Sequence, residues 1–173
     1  MKSFHELIIH RESIRDYDPG RQVEKEKLER ILDAGRLAPS AANRQPWRFY
    51  LVSDARYREK LCRCYPRPWF CNAPHVLVVA GRYEEAYVRR ADGYNTLETD
   101  LAIAMDHMIL AADAEGVASC WIVAFDPEML KQTGIVQPDE KVFAITPLGY
   151  PPKGFVRKGV KERKKREEVV KYI

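Results

Sequence analysis

Residues 95–116 read NTLETDLAIAMDHMILAADAEG, and the placement of the apolar side chains along them decides the fold. Leu97, Leu101, Ala104, Met105, Met108, Ile109 and Ala112 recur at helical spacing, while Ala102, Ile103, Leu110 and Ala111 widen the apolar surface beyond one stripe. A helix that is apolar on most sides is buried on most sides. Asn95 stands where a cap belongs, Glu98 follows three residues later in capping-box position, and Gly116 suits the residue just past the end. Asp100, Asp106 and His107 interrupt the run, which excludes a membrane span of ~20 nearly unbroken apolar residues. The segment is therefore the central pillar of a core, or half of a subunit interface. Within it, His107 reads as a core or interface histidine rather than a catalytic base.

Outside that helix the composition is ordinary. A chain of 173 residues, 46% hydrophobic and 31% charged, fits one domain spanning 1–173. The first fifteen residues, MKSFHELIIHRESIR, carry no long apolar run and no cleavage signal. Four cysteines, Cys62, Cys64, Cys71 and Cys120, are too few and too clustered for a secreted disulfide framework, so a cytoplasmic, reducing location is expected. Cys62, Cys64, Cys71 and His75 lack the Cys-x-x-Cys spacing of a zinc site, and no metal is expected. No glycine-rich dinucleotide fingerprint or P-loop is present, and Ser13 and Ser40 lack a nucleophile-elbow context. The net charge of +4 is uneven: eight Lys and Arg lie between Lys153 and Arg166, opposed only by Glu162. Such a run can be solvated surface, a nucleic-acid tail, or a clamp for a phosphorylated small molecule.

Working outward, residues 3–10 predict a short helix with a Ser3–Glu6 capping box. In the following Arg11-Glu12-Ser13-Ile14-Arg15, two arginines and a serine at i, i+2 and i+4 of an extended segment point the same way. Two guanidinium forks and a hydroxyl suit a phosphate, although a plain surface segment has the same pattern. Val23 to Ala38 predicts an amphipathic helix, followed by Pro39-Ser40-Ala41-Ala42-Asn43-Arg44-Gln45-Pro46-Trp47. That loop offers backbone N–H groups and two amides to a planar heteroaromatic ligand, or is simply a turn entering a strand. Strands are expected at Trp47–Ser53, His75–Gly81, Ser119–Val123 and Lys141–Leu148. Helices are expected at 55–65, at 82–91 on the surface, and from Pro127 to Gly134. The paired prolines of Tyr65-Pro66-Arg67-Pro68-Trp69-Phe70 argue against a regular element, and Glu168–Ile173 is β-prone.

Arg11-Glu12-Ser13-Ile14-Arg15, the helix ending Leu37-Ala38-Pro39-Ser40, and Asn43-Arg44-Gln45-Pro46-Trp47 entering a strand together resemble the nitroreductase family of FMN-dependent oxidoreductases. Gly116–Ile122 looks like that family's strand after its central helix, Thr146–Pro151 like its last core strand, and Lys161-Glu162-Arg163 like the tail that holds the cofactor phosphate. The resemblance implies an α+β fold with a central mixed or antiparallel sheet of 4–5 strands flanked by helices. It also implies an intertwined homodimer whose extension, 152–173, reaches the partner subunit.

For the site, the resemblance implies that the Arg11, Glu12, Ser13, Arg15 segment, with Lys161 and Arg163, holds the FMN phosphate and ribityl chain. Pro39, Ser40, Asn43 and Gln45 would meet the cofactor from the other subunit's side, and the backbone of Ile122, Val123 and Ala124 would face the flavin ring. Tyr65, Trp69 and Phe70 are candidates for part of the substrate roof. NADH or NADPH would reduce the flavin by ping-pong two-electron transfer to nitroaromatic, quinone or similar small acceptors. No protein acid or base is required, and no nucleic-acid or membrane partner is expected. Specialised branches, reductive dehalogenation or flavin fragmentation, and a non-turnover flavin store or sensor are the alternatives.

Overall fold

The computed structural model describes residues 3–159 and 161–173 of the chain. At its centre is a four-stranded sheet of β1 (Trp47–Val52), β2 (His75–Gly81), β3 (Ala118–Ser119) and β4 (Lys141–Gly149), in the order β1-β2-β4-β3 with every pair antiparallel. The helices are α1 (Phe4–His10), α2 (Lys25–Arg36), α3 (Ala55–Cys64), α4 (Pro68–Cys71), α5 (Leu97–Ala114), α6 (Pro127–Gln132) and α7 (Arg166–Val169).

The sheet is covered on both faces, which explains why HVLVVAG shows no polar alternation. Leu77 and Val79 of β2 pack with Leu101, Met105 and Met108 of α5 and Leu28 and Ile31 of α2. Val76, Val78 and Ala80 face the opposite way, onto Leu61 of α3, Phe70 of α4 and Leu130 of α6. The period of two along the strand thus feeds two cores. The quoted segment is the pillar of the first: Leu97, Leu101, Ala104, Met105 and Ala112 are fully buried. Gly35 lets α2 lie close, since a Cβ there would stand 2.6 Å from the Met108 sulfur.

Several local expectations are corrected. Thr96, not Asn95, occupies the cap position of α5; Asn95 Oδ1 still accepts the Leu97 N–H at 3.0 Å, but its amide nitrogen donates to the Tyr83 carbonyl. Glu98 is left to accept from Tyr83 Oη at 3.3 Å and closes no capping box. Residues 82–91 form no helix. They run into an irregular hairpin closed by the Val88–Asn95 bridge, the Arg89–Tyr94 and Thr96–Tyr87 backbone hydrogen bonds, and Gly93 at φ 73°. With Ala86 as the one buried apolar side chain in the segment, a helix there has no face to bury.

The expected strand at 119–123 is cut to Ala118–Ser119 plus an isolated Ile122–Ile145 bridge, because the Cys120 N–H donates to the Thr146 hydroxyl. Despite the prolines, Pro68 starts a helical turn, at the first position where its missing N–H costs nothing. The end of the chain forms a helical turn at α7 rather than a strand, and residues 170–173 are exposed. His107 is exposed on α5, outside the core.

The candidate metal ligands are dispersed. Cys62 and Cys71 are paired as a disulfide that ties α3 to α4, which a reading of reduced thiols did not anticipate. Buried Cys64 donates to the Lys60 carbonyl. His75 is buried, its Nδ1 2.7 Å from Ser53 Oγ while its Nε2 accepts the Val23 N–H at 3.4 Å. Among the described residues, no helix is long and apolar enough to cross a membrane.

Candidate functional site

The segment after α1 leaves the helix in an extended conformation at Arg11. The Ile14 N–H donates to the Ser119 carbonyl at 3.0 Å, and the Ile14 carbonyl accepts the Tyr17 hydroxyl at 2.9 Å. This pins Ile14 in the core at the end of β3. With Ile14 turned in, the residues on either side turn out. Arg11 and Ser13 line a cleft of ≈ 470 Å³ whose other wall is Lys158, Lys161 and Arg163. The cleft therefore joins residues some 150 positions apart. Arg15 is exposed and does not line it. Its guanidinium lies instead near the buried Cys120 thiol, which burial pushes up and which Arg15, a Ser13 hydrogen bond and Arg11 pull back down.

The far wall is held by a short set of contacts. Arg157 Nη2 is 3.3 Å from Asp113 Oδ1 and its Nη1 donates to the His10 carbonyl at 3.4 Å. The Gly159 N–H donates to Glu12 Oε2 at 3.2 Å, and Lys161 Nζ to the Ile8 carbonyl at 2.5 Å. Glu12 is thus a tether for the arm. The Lys161 ammonium is drawn below its usual range first by desolvation and then by the positive charges of Arg11 and Arg163. Four cations face two carboxylates, Glu12 and Glu162, leaving the cleft at +2. A phosphomonoester, at about −1.5 to −2 near pH 7, matches that charge, and Arg11, Lys158, Lys161 and Arg163 line the cleft as donors for it. By this test the chain's residues fit the phosphate of FMN.

The loop after α2 is built differently. Ala42, Asn43 and Gln45 take φ of 49°, 53° and 53°, values that cost a non-glycine residue about 1–3 kcal/mol and survive only where neighbours over-determine them. The neighbours here are identifiable. Asp100 Oδ1 accepts the Ala41 N–H at 2.9 Å, Ser40 Oγ accepts the Gln45 N–H at 2.9 Å, and the Gln45 amide donates to Asn43 at 3.2 Å. Asp100 is itself buried, with its other oxygen taking the Thr96 hydroxyl at 2.9 Å. Pro39, Asn43 and Gln45 remain exposed.

These two groups stand at opposite ends of α5. The strained loop is tied to Asp100 and the cationic cleft to Asp113, and thirteen helical residues at 1.5 Å each separate them by roughly 20 Å along the axis. The segment after β3 runs between them. Ser119 bonds Ile14 and buried Cys120 lies near Ser13, beneath the strand that lines the cationic cleft, whereas exposed Val123 shares a second cleft, ≈ 290 Å³, with Glu98 in the first turn of α5. Ile122 is buried, and Val123 and Ala124 are exposed.

Tyr65, Trp69 and Phe70 do not join any of this. They form an edge-to-face cluster among themselves, with Trp69 also stacked on Tyr17. Phe70 is 1% exposed and belongs to the core, while Tyr65 and Trp69 keep partial exposure. Arg157 and Lys158 belong to the basic run but not to the expected cofactor-binding residues, and Asp113 stood out only as part of the apolar helix. The only signal for Asp113 was a carboxylate near the C-terminal end of an apolar helix, where the macrodipole disfavours it.

The model of the family described as the Nitroreductase family matches residues 8–65 and 58–150. An Archaeoglobus fulgidus protein named for NADH dehydrogenase and NAD(P)H nitroreductase activity is 31% identical over 156 residues, covering 87% of each chain. The crystal structure of a nitroreductase family protein from Clostridium difficile 630 superposes with a TM-score of 0.89 at 32% identity, over 99% of this chain and 98% of that one. A nitroreductase with bound FMN from Bacteroides fragilis has a TM-score of 0.72 at 25% identity over the whole of both chains.

Proposed function

The chain belongs to the nitroreductase family, and from that premise we propose that it is an FMN-dependent oxidoreductase that takes electrons from NADH or NADPH and passes them to small acceptors such as nitroaromatics and quinones. The observation that carries this reading is the cleft of Arg11, Ser13, Lys158, Lys161 and Arg163, whose cations and hydroxyl suit one phosphate. When bound, FMN supplies the two-electron chemistry. The protein supplies placement and electrostatics: the cleft holds the phosphate, and the backbone N–H groups at Val123 and Ala124 are offered to the ring.

The roughly 20 Å of helix between Asp100, which holds the Pro39–Gln45 loop, and Asp113, which holds the arm of the cleft, supports a two-chain site, in which each cofactor meets the cleft of one protomer and Ser40, Asn43 and Gln45 of its partner. Two further features favour a homodimer. Val169, Val170, Tyr172 and Ile173 are exposed at the end of the chain, and β1 is an edge strand flanked by a cleft of ≈ 540 Å³. An extension that crosses to the partner would bury such a tail and cover such an edge. In the same reading the protein works in the cytoplasm, where its electron donors are made.

The test is a visible absorption spectrum of the FMN-loaded protein under anaerobic conditions. Adding NADH or NADPH is expected to bleach the flavin band, and adding a nitroaromatic or quinone to restore it. A band that neither nucleotide bleaches would overturn the assignment as an oxidoreductase.

A further inference from the structure

Asp113 is 5% exposed and sits in the last turn of α5, where the partial negative charge of the helix end opposes a carboxylate. Burial adds to that opposition. Helix stability therefore gives no reason for an acid here, and the reason must lie in what it holds. Asp113 Oδ2 is 2.7 Å from His10 Nδ1, and Oδ1 is 3.3 Å from Arg157 Nη2. Those partners belong to the two segments that form the cationic cleft. His10 is the residue before Arg11, and Arg157 begins the arm that carries Lys158, Lys161 and Arg163.

We propose that Asp113 is a positioning residue for the phosphate seat, a buried carboxylate that draws the Arg11–Ser13 strand and the 157–163 arm to one helix end so that their cations converge. The inference rests on the reading of the cleft as the FMN phosphate site. Arg157 is the mechanical link: one guanidinium nitrogen engages Asp113 and another the His10 carbonyl, so it joins pillar, strand and arm. Among the described residues, the tethers from Gly159 to Glu12 and from Lys161 to Ile8 connect the arm to the strand and to α1 rather than to α5. Without Asp113 the strand would keep its anchor at Ile14 on β3, but the arm would lose the link that Arg157 makes to α5. Asp113 also lies close enough to Lys161 to oppose the repulsion that Lys161 feels from Arg11 and Arg163. It thus offsets part of the repulsion at Lys161 before any anion arrives.

The test compares FMN with riboflavin, which differ only in the phosphate, by titration of flavin fluorescence against the full-length protein. Asp113→Asn is expected to weaken FMN about tenfold and leave riboflavin unchanged. Arg157→Gln should do the same, and since its side chain is only half-buried, outside the core, it reports even if the buried change impairs folding. The double variant is expected to be no weaker than the weaker single one, because both changes break one contact. Equal losses for FMN and riboflavin, or losses that simply add, would overturn the positioning role. If Arg11→Ala leaves the FMN-to-riboflavin ratio unchanged, the phosphate reading of the cleft falls and this inference with it. If Arg11→Ala lowers the ratio but both Asp113→Asn and Arg157→Gln preserve it, the positioning role alone is overturned.

Discussion

Replacing Arg11 and Lys161 together by alanine is expected to lower FMN affinity about a hundredfold while riboflavin affinity stays within about twofold, since each hydrogen bond to a charged group is worth ~1.5–3 kcal/mol. The lower end of that range applies because the cleft is open to solvent and partly screened. Raising the salt concentration should weaken FMN binding to the natural protein much more than to the variant. Fluorescence titrations with both flavins at two ionic strengths check these expectations. Parallel losses for FMN and riboflavin would mean that the cleft does not face the phosphate.

Asp100→Ala should produce the opposite pattern. Asp100 is buried and accepts from the Ala41 N–H and the Thr96 hydroxyl, so its loss strands two donors at ~1–3 kcal/mol each. It also removes a carboxylate from the first turn of α5, where the helix dipole favours one by ~0.3–1 kcal/mol. A total near 3 kcal/mol corresponds to a fall in Tm of roughly 6–12 °C for a chain of this size. The functional effect goes beyond stability. Ala42, Asn43 and Gln45 hold positive φ because Asp100 and Ser40 pin the loop between them, and with one anchor gone the loop can relax to ordinary backbone. FMN and riboflavin should then weaken together, since in the proposed site the loop meets the cofactor away from the cationic cleft that takes the phosphate. Thermal melting and the same pair of titrations separate the two effects.

Much of this architecture was legible in the chain. The buried character of residues 95–116 followed from apolar positions on nearly every side, and β2 from an apolar run too short for a helix. The anion cleft was half legible: the i, i+2 spacing of Arg11 and Ser13 put them on one side, and the basic run near the end supplied cations to meet them. The meeting itself depends on Asp113, Arg157 and Glu12, whose partners are remote in sequence, and no local pattern reveals it. The hairpin at 82–95 was missed because its charged residues also suit a surface helix, and only cross-hairpin contacts such as Asn95 to Tyr83 decide against one. Phe70 was misplaced for a related reason. An aromatic between prolines looks irregular and exposed, yet Pro68 begins a helical turn that buries it under α3 and β2. The strain at Ala42, Asn43 and Gln45 was invisible, since none is a glycine.

The most direct test of the central claim, that one cofactor site uses opposite ends of α5 from two chains, is to mix the two variants after subunit dissociation and reassociation. The Arg11→Ala/Lys161→Ala chain keeps a sound loop, and the Asp100→Ala chain keeps a sound cleft. Random reassociation into two-fold dimers should restore tight FMN binding at about a quarter of all sites, one in each mixed dimer. A mixture that binds FMN no better than the two variants measured separately would contradict the shared site and place the whole cofactor on a single chain.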